Sequence, residues 1–326
     1  MKKKIKFSNL EFQKRYIWLE NLILVTGTHT SGKSMISPVI ASLKKVEMLR
    51  KIYYLDQLAN LHFFNKLKFK PAKFMANHIL DLSYYEQLIG RNMNFRHEDE
   101  TSVVNSKDPK FYMKRLKVKR GSQILKKHKK INTQMLLDTH DGIWFNKFWL
   151  NLGIKNLKII NICRNPIDVV NSWINLDFGE AEEQLLCQIP LISYKKKIKP
   201  FYYYKSINKN KLNKYDAAVE MVCECIENEI KNLKKIKNIK NLIRIDFDNF
   251  AEKTNYNLSK ICKFLKTNQT KHTSKIMRRE RLPRKIIEND RIKKRQKIKE
   301  LVSDKLFQRL LRLEKFYIKE KKLNKW

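Results

Sequence analysis

The sequence predicts a three-layer α/β fold of P-loop type, with a central parallel sheet flanked by helices and helical insertions. Two observations carry the prediction. Residues 22–25, Leu-Ile-Leu-Val, form an apolar run closed by a Thr-Gly turn, as in a buried strand, and Met35, Ile36, Val39, Ile40 and Leu43 then fall at helical spacing. Farther on, residues 134–138 and 157–163 are two more apolar runs, separated by a helical stretch through Trp144, Phe145, Phe148, Trp149 and Leu152. Strand, helix, strand at that spacing is a βαβ unit, which requires parallel strands and places a site at their C-terminal ends. With 326 residues the chain can bury a full core. It is expected to form one domain over 1–326, with an insertion at 177–214 and a basic, helical segment at 271–326.

The first strand and its helix are joined by Gly27, Thr28, His29, Thr30, Ser31, Gly32, Lys33 and Ser34, which fit G-x-x-x-x-G-K-[ST], the phosphate-cradling P-loop. Glycines let the backbone turn its N–H groups toward an anion, and the helix N-terminus adds partial positive charge. Lys33 supplies a full charge and Ser34 a hydroxyl. A simple strand-to-helix turn would need neither. Ser31 is expected to touch phosphate directly and His29 to shape the loop.

The remaining elements follow in order. Residues 47–67 are expected to be mostly helical. Pro71 opens a second helix whose core face is Phe74, Met75, His78, Ile79, Leu82, Tyr85 and Leu88, and Pro109 starts another after an acidic, hydroxyl-rich loop. A lysine-rich helix precedes the strand at 134–138, which ends at the turn Thr139-His140-Asp141-Gly142. A fourth strand, 241–247, exits at Asp246-Phe247. In the insertion, Tyr202, Tyr203 and Tyr204 either offer flat faces to a sugar or aromatic ring or pack internally. From Ile298 on, a terminal helix is expected to pack against the body.

Composition bounds the partners. There are 71 basic and 32 acidic residues, a net charge of +39, which suits anionic partners; lysine, asparagine and isoleucine recur throughout, a bias that AT-rich codons also produce. The cysteines, Cys163, Cys187, Cys223, Cys225 and Cys262, form an odd set without a C-x-x-C pair, so neither a disulfide framework nor a zinc site is indicated. His97, His128 and His272 have no ligand-spaced partners, and no metal site is expected. Glu11, Lys14 and Arg15 interrupt any signal-peptide core, and no apolar run has membrane-spanning length. The expected location is cytoplasmic.

The third strand runs into Arg164-Asn165-Pro166-Ile167-Asp168-Val169-Val170-Asn171-Ser172, where Pro166 begins a helix. Arg164 and Ser172, eight apart around a Pro and an Asp, resemble the 3′-phosphate-binding motif of sulfotransferases that use 3′-phosphoadenosine 5′-phosphosulfate (PAPS). Residues 241–265, a strand, an acidic residue and a helix ending in Phe264-Leu265, are also similar to that family. The resemblance implies that residues 27–34 hold the 5′-phosphosulfate and that Arg164 and Ser172 hold the 3′-phosphate; Lys33, its charge moved within the loop relative to the family, is expected to neutralise the 5′-phosphate or the bridging oxygen. It also implies that His140, 24 positions before Arg164, is the catalytic histidine, and that arginines among Arg278, Arg279, Arg281 and Arg284 close over the 3′-phosphate. The chain departs from the family in having Thr30 where Arg or Lys is usual and Lys33 where Thr is usual.

An imidazole suits a general base near neutrality; Asp138 or Asp141 orients it or serves as the base instead. The expected activity is sulfuryl transfer from PAPS to a hydroxyl or amine of a carbohydrate or small-molecule acceptor. Two alternatives stand beside it. One is an ATP-dependent kinase, with Lys33 on the phosphates and Ser34 with Asp138 on Mg²⁺; the other is a basic nucleic-acid-binding protein. No specific nucleic acid is expected under the leading reading.

Overall fold

The computed structural model describes residues 10–14, 16–119, 121–178, 189–207, 212–236 and 240–322. The chain forms β1 (Asn21–Thr26), turns through the glycine loop into α1 (Lys33–Ala41) and returns as β2 (Val46–Lys51). It then crosses through α2 (Tyr53–Phe63), α3 (Phe69–Leu88), α4 (Pro109–Met113) and α5 (Ser122–Ile131) to β3 (Gln134–Asp138). α6 (Asn146–Leu150) precedes β4 (Asn156–Cys163), and α7 (Pro166–Asn175) is followed by a hairpin of β5 (Leu191–Tyr194) and β6 (Lys197–Pro200). α8 (Lys214–Lys235) leads to β7 (Leu242–Asp246), and α9 (Phe247–Glu252), α10 (Thr254–Leu265), α11 (Thr273–Arg279), α12 (Glu288–Leu301) and α13 (Asp304–Lys322) come last.

The main sheet has the order β2-β3-β1-β4-β7, and every neighbouring pair is parallel, as the βαβ spacing predicts. Alternation within the strands builds the layers on either side. Leu22 and Leu24 of β1, Met135 and Leu137 of β3, and Leu157 and Ile159 of β4 face a core shared with α2, α3, α7 and α8. Ile23, Val25, Leu136, Ile160 and Ile162 point the other way, toward α1, α10 and α11. Burial of each such side chain stabilises the fold by roughly 2 kcal/mol relative to exposure. β1 connects toward β2 while its neighbour β4 connects toward β7, so a crevice opens between the C-terminal ends of β1 and β4.

Three sequence expectations are corrected, and the alternative left open for the tyrosines is decided in favour of internal packing for two of them. Residues 47–67 contain strand β2 before α2 begins. The charges of Val46–Lys51 hide it: Glu47 is buried against Arg115, whose two terminal nitrogens donate to its oxygens at 2.8 and 2.9 Å, and Lys51 pairs with Glu100. The core face of α3 is Ala72, Ala76, Leu80, Tyr84 and Leu88, whereas Met75, His78 and Leu82 are exposed. Small alanines let this helix approach closely, and its buried polar residues are paired, Asp81 with the amides of Trp18 and Leu19 and Asn77 with the carbonyl of Leu152. Tyr202 and Tyr203 are core residues, leaving Tyr204 as the one of the three that lines a cleft. The terminal helix is two helices, broken after Leu301.

Within the insertion expected at 177–214, residues 179–188, which include Cys187, and 208–211 lie outside the described residues. No helix among the described residues is long and apolar enough to cross a membrane.

Candidate functional site

β1 delivers the chain to the crevice at Thr26, and the loop after it has the backbone that its glycines permit. Gly27 has φ 145°, and a Cβ there would stand 2.3 Å from the carbonyl oxygen of Ile162 on neighbouring β4. Gly32, at φ 98°, caps α1, and a Cβ would stand 2.1 Å from the ring of Phe247. The first amides of α1, those of Lys33 and Ser34, have no carbonyl one turn earlier to bond, so they are free to face an anion. Lys33 is buried, and its ammonium donates to the carbonyls of Gly27 at 2.8 Å and Thr28 at 3.0 Å, drawing the loop around itself. The hydroxyls of Thr30 and Ser31 are buried with no hydrogen-bond partner among the described residues, and Ser34 is exposed.

The outer side of this loop forms one wall of a cleft of about 440 Å³. Thr30, Gly32, Ser34 and Met35 line it together with Arg164, Phe247, Arg281 and Arg284. Arg164 follows directly on β4; its guanidinium donates to the carbonyl of Thr30 at 2.8 Å and lies 4.7 Å from the Phe247 ring centre. Arg284 lies 5.8 Å from the same ring, and its backbone is pinned by the carbonyl of Ala251 at 2.8 Å. No carboxylate among the described residues pairs with Arg281 or Arg284. Arg279, at the rim, pairs with Glu280 at 2.8 Å. Arg278 is not among the cleft residues. The chemistry of this lining is that of a phosphate receptor: a loop with hydroxyls and a helix N-terminus, guanidinium groups, and an aromatic face.

Ser172 is placed elsewhere. It sits two turns along α7, half-buried, with its hydroxyl donating to the carbonyl of Asp168 at 2.9 Å, and it does not line the cleft. Asp168 is itself held by Arg291, at 3.0 and 2.7 Å, and by Lys294, at 2.6 Å, which fasten α12 over the start of α7. Burial opposes ionisation of this carboxyl, but Lys294 and Arg291 more than offset it and keep its pKa below the usual range.

The inner side of the P-loop carries a second group of side chains, brought together by β2, α2 and the turn after β3. That turn is stitched to the loop: Thr139 N–H donates to the Val25 carbonyl at 3.0 Å, Gly142 N–H to the Thr26 hydroxyl at 2.7 Å, and Asp141 N–H approaches the Gly27 carbonyl at 3.4 Å. His140 stacks on His29, with ring centres 3.4 Å apart and planes 10° apart, and the Trp173 indole donates to the His29 carbonyl at 3.2 Å. Nδ1 of His140 is buried and has no partner among the described residues. Burial, with the charge of nearby Lys33, pushes both imidazoles well below their ordinary pKa, so both are neutral at pH 7.

Three carboxyls surround them, all pushed up by burial: Asp138 to about 6, Asp141 to about 7 and Asp56 to about 8. Lys33 and Lys51 restrain Asp138. Asp141 accepts from the Tyr202 hydroxyl at 2.7 Å, and Asp56 accepts from the hydroxyl of Thr139. Asp56 escapes notice in the sequence because it stands in an apolar helical run; a lone acid in the first turn of α2 was the signal available.

A pH prediction follows. A carboxyl that binds its proton more tightly when folded stabilises the fold fully at low pH, and that contribution is lost as pH rises through the folded pKa. For Asp56 and Asp141 the loss extends up to pH 7–8. Thermal unfolding is therefore expected to show stability falling from pH 6.5 to 8.5, by up to about 1.4 kcal/mol per pH unit for each group still protonated in the fold. Asp56→Asn, measured over the same range, should flatten that slope; an unchanged slope would mean that Asp56 is ionised throughout.

α2 also borders a larger cleft of about 710 Å³, whose other wall is the β5–β6 hairpin. Leu61, Phe64, Ile189, Ile192 and Tyr204 make it predominantly apolar. Asn60 is its one buried amide: Nδ2 donates to the Asp56 carbonyl at 2.9 Å, while Oδ1 has no partner among the described residues. Elsewhere, Cys223 and Cys225 are buried, and burial pushes both thiols up, which keeps them inert.

No family model matches the chain, and no curated protein does. Among solved structures it is similar to several sulfotransferases. A sulfotransferase domain from the curacin biosynthetic pathway shares 11% identity with a TM-score of 0.42, over 78% of this chain and 77% of that one. The sulfotransferase domain of the Synechococcus PCC 7002 olefin synthase shares 10% with a TM-score of 0.45, over 81% and 79%. A mouse sulfotransferase crystallised with PAP shares 13% with a TM-score of 0.37, over 80% and 65%. At such scores the assignment of function falls to the geometry of the site itself.

Proposed function

We propose that the protein is a PAPS-dependent sulfotransferase. The observation that supports this reading is the lining of the P-loop cleft, where Arg164, Arg281 and Arg284 join Thr30, Gly32 and Ser34, and Arg164 and Arg284 both lie near the Phe247 ring. A nucleotide with phosphate at one position only would use the loop and leave Arg281 and Arg284, which no carboxylate among the described residues answers, without an anion. A nucleoside carrying phosphate on both the 3′ and 5′ oxygens answers the loop and these guanidinium groups, and a cleft of about 440 Å³ is within the range of small-ligand sites.

In this reading the loop from Gly27 to Ser34 holds the 5′ end, Arg164 and Arg284 the 3′-phosphate, and Met35 and Phe247 flank the base. When bound, PAPS supplies an activated sulfuryl group. Lys33, held against the loop carbonyls, lends positive charge where negative charge gathers on the phosphate side as the sulfur–oxygen bond breaks. The acceptor oxygen bonds to sulfur as the sulfur–oxygen bond to the bisphosphate breaks, and it gives its proton to the neutral imidazole of His140, whose Nδ1 has no partner among the described residues. Asp56 and Asp141, protonated over much of the neutral range, are poor proton acceptors and act by holding the turn. α2 spans both places. It carries Asp56 beside the Thr139–His140 turn and Leu61 in the apolar cleft, five residues and about 7.5 Å farther along. That cleft suits a small molecule bearing a hydroxyl on an aryl or alkyl body better than a carbohydrate, which needs more polar partners than Asn60 and its few neighbours provide.

The test is calorimetric titration with adenosine 3′,5′-bisphosphate and, separately, with ATP and Mg²⁺. Micromolar binding of the bisphosphate with ATP at least about tenfold weaker is expected, a gap of about 1.4 kcal/mol. Tight ATP without bisphosphate binding would instead promote the kinase reading of Lys33, Ser34 and Asp138.

A further inference from the structure

One surface is left unused by the site. Between residues 109 and 131 the sequence has eight lysines and two arginines and no acidic residue. In α4 and the turn after it, Tyr112 and Arg115 point inward, and Arg115 is locked: it is bonded to both oxygens of Glu47 and to the Gln87 carbonyl at 3.0 Å, and lies 4.8 Å from the Tyr112 ring. This anchor fixes the segment, with the Phe111 ring packed against the same guanidinium at 5.1 Å, and leaves much of its other side chains exposed. Phe111 is 47% exposed, Met113 43%, Leu116 52% and Val118 39%, and Lys110, Lys114, Lys117 and Lys119 stand exposed between them. α5, which follows, has no buried residue and presents four more lysines and a 42% exposed Ile131. Four large apolar side chains held outward on a rigid base cost free energy in water unless something covers them.

We propose that this face docks on an anionic lipid bilayer, with Phe111, Met113, Leu116 and Val118 inserted at the headgroup level and the lysines on the surrounding phosphates and carboxylates. The residue types select this occupant. Apolar side chains interleaved with lysines, on an element lying flat on the surface, match an interfacial anchor, since lysine stems cover apolar surface while their ammonium groups reach headgroups. Each lysine near an anionic leaflet adds electrostatic attraction. A second copy of the chain fits poorly, because symmetric pairing would set these lysines against their equivalents, and lysine is depleted at protein interfaces. Nucleic acid would engage the lysines but leave Met113, Leu116 and Val118 without partners, as its single-stranded forms stack on aromatic faces.

The test is co-sedimentation of the full-length protein with vesicles of phosphatidylcholine alone and of phosphatidylcholine mixed with phosphatidylserine, at low and high salt. Binding only to the mixed vesicles is expected. Met113→Ser with Leu116→Ser, both well exposed, should weaken it at least about tenfold, and Lys114→Glu with Lys117→Glu about twentyfold or more. Both variants should keep the wild-type tryptophan emission and melting temperature, and both should still bind adenosine 3′,5′-bisphosphate as wild type does. Vesicle binding that ignores the apolar substitutions would overturn the proposal in favour of a purely electrostatic surface. So would a wild-type dimer that the apolar substitutions dissociate, or equally tight, lysine-dependent binding to single-stranded RNA in place of vesicles.

Discussion

Replacing His140 by glutamine is expected to lower turnover about a thousandfold while leaving adenosine 3′,5′-bisphosphate binding within a few-fold of wild type. Glutamine fills much of the space and keeps a polar end, but it has no basic nitrogen. The imidazole it replaces is neutral at pH 7 because burial, His29 and Lys33 all disfavour the charged form, so essentially every molecule is ready to accept a proton. Single-turnover sulfuryl transfer to whichever aryl or alkyl alcohol the wild type uses is the measurement. The wild-type rate should fall on the acid side only well below pH 6.5, where His140 gains its proton. His29→Gln provides the comparison: it removes the stacking partner and leaves the nitrogen that reacts, so about a tenfold loss is expected. If both variants lose the same modest factor, His140 acts by packing, and Asp138 or Asp141 becomes the proton acceptor.

Arg164→Ala should weaken adenosine 3′,5′-bisphosphate about a hundredfold, some 3 kcal/mol, as expected for a lost charge-assisted guanidinium–phosphate contact in a partly enclosed cleft. Adenosine 5′-phosphate, which lacks the 3′ group, should change only a few-fold. The comparison matters because Arg164 also holds the Thr30 carbonyl and packs on Phe247. Removing it therefore disturbs the P-loop as well as the phosphate. Equal losses for the two nucleotides would mean that Arg164 supports the loop and touches no 3′-phosphate. Arg284→Ala, which breaks no contact to the loop, should reproduce the selective part of the effect at smaller size, about tenfold.

Much of the scaffold of this site can be read from the chain because the relevant signals are local. The P-loop occupies eight consecutive residues, and the glycine positions demand their backbone wherever the loop sits: Gly27 and Gly32 both have φ values that side chains disfavour. The strands at 134–138 and 156–163 are apolar runs with clear ends, and their spacing implies parallel pairing. By contrast, β2 was hidden by Glu47, Arg50 and Lys51, whose charges look solvent-facing until Arg115 and Glu100, 68 and 49 residues away, are known to answer Glu47 and Lys51. The buried face of α3 is hidden for a related reason. Large apolar side chains weigh most in a sequence pattern, but the sheet side of this helix is set by Ala72 and Ala76, which allow close approach, and by Asn77 and Asp81, whose partners lie far along the chain.

The sequence by itself determined the strand–loop–helix that can hold a phosphate, the parallel sheet that places it at a crevice, and the excess of positive charge. Tertiary structure alone decided which charges do local work. It set Arg164 and Arg284 on one phenylalanine, turned Ser172 back onto its own helix, buried Tyr202 against Asp141, and brought Asp56 to the histidine turn from across the fold. The physical reason is range. Backbone conformation and strand alternation are dictated by neighbours along the chain, whereas the fate of a polar side chain depends on which distant group meets it after burial, and its cost or benefit is settled only there.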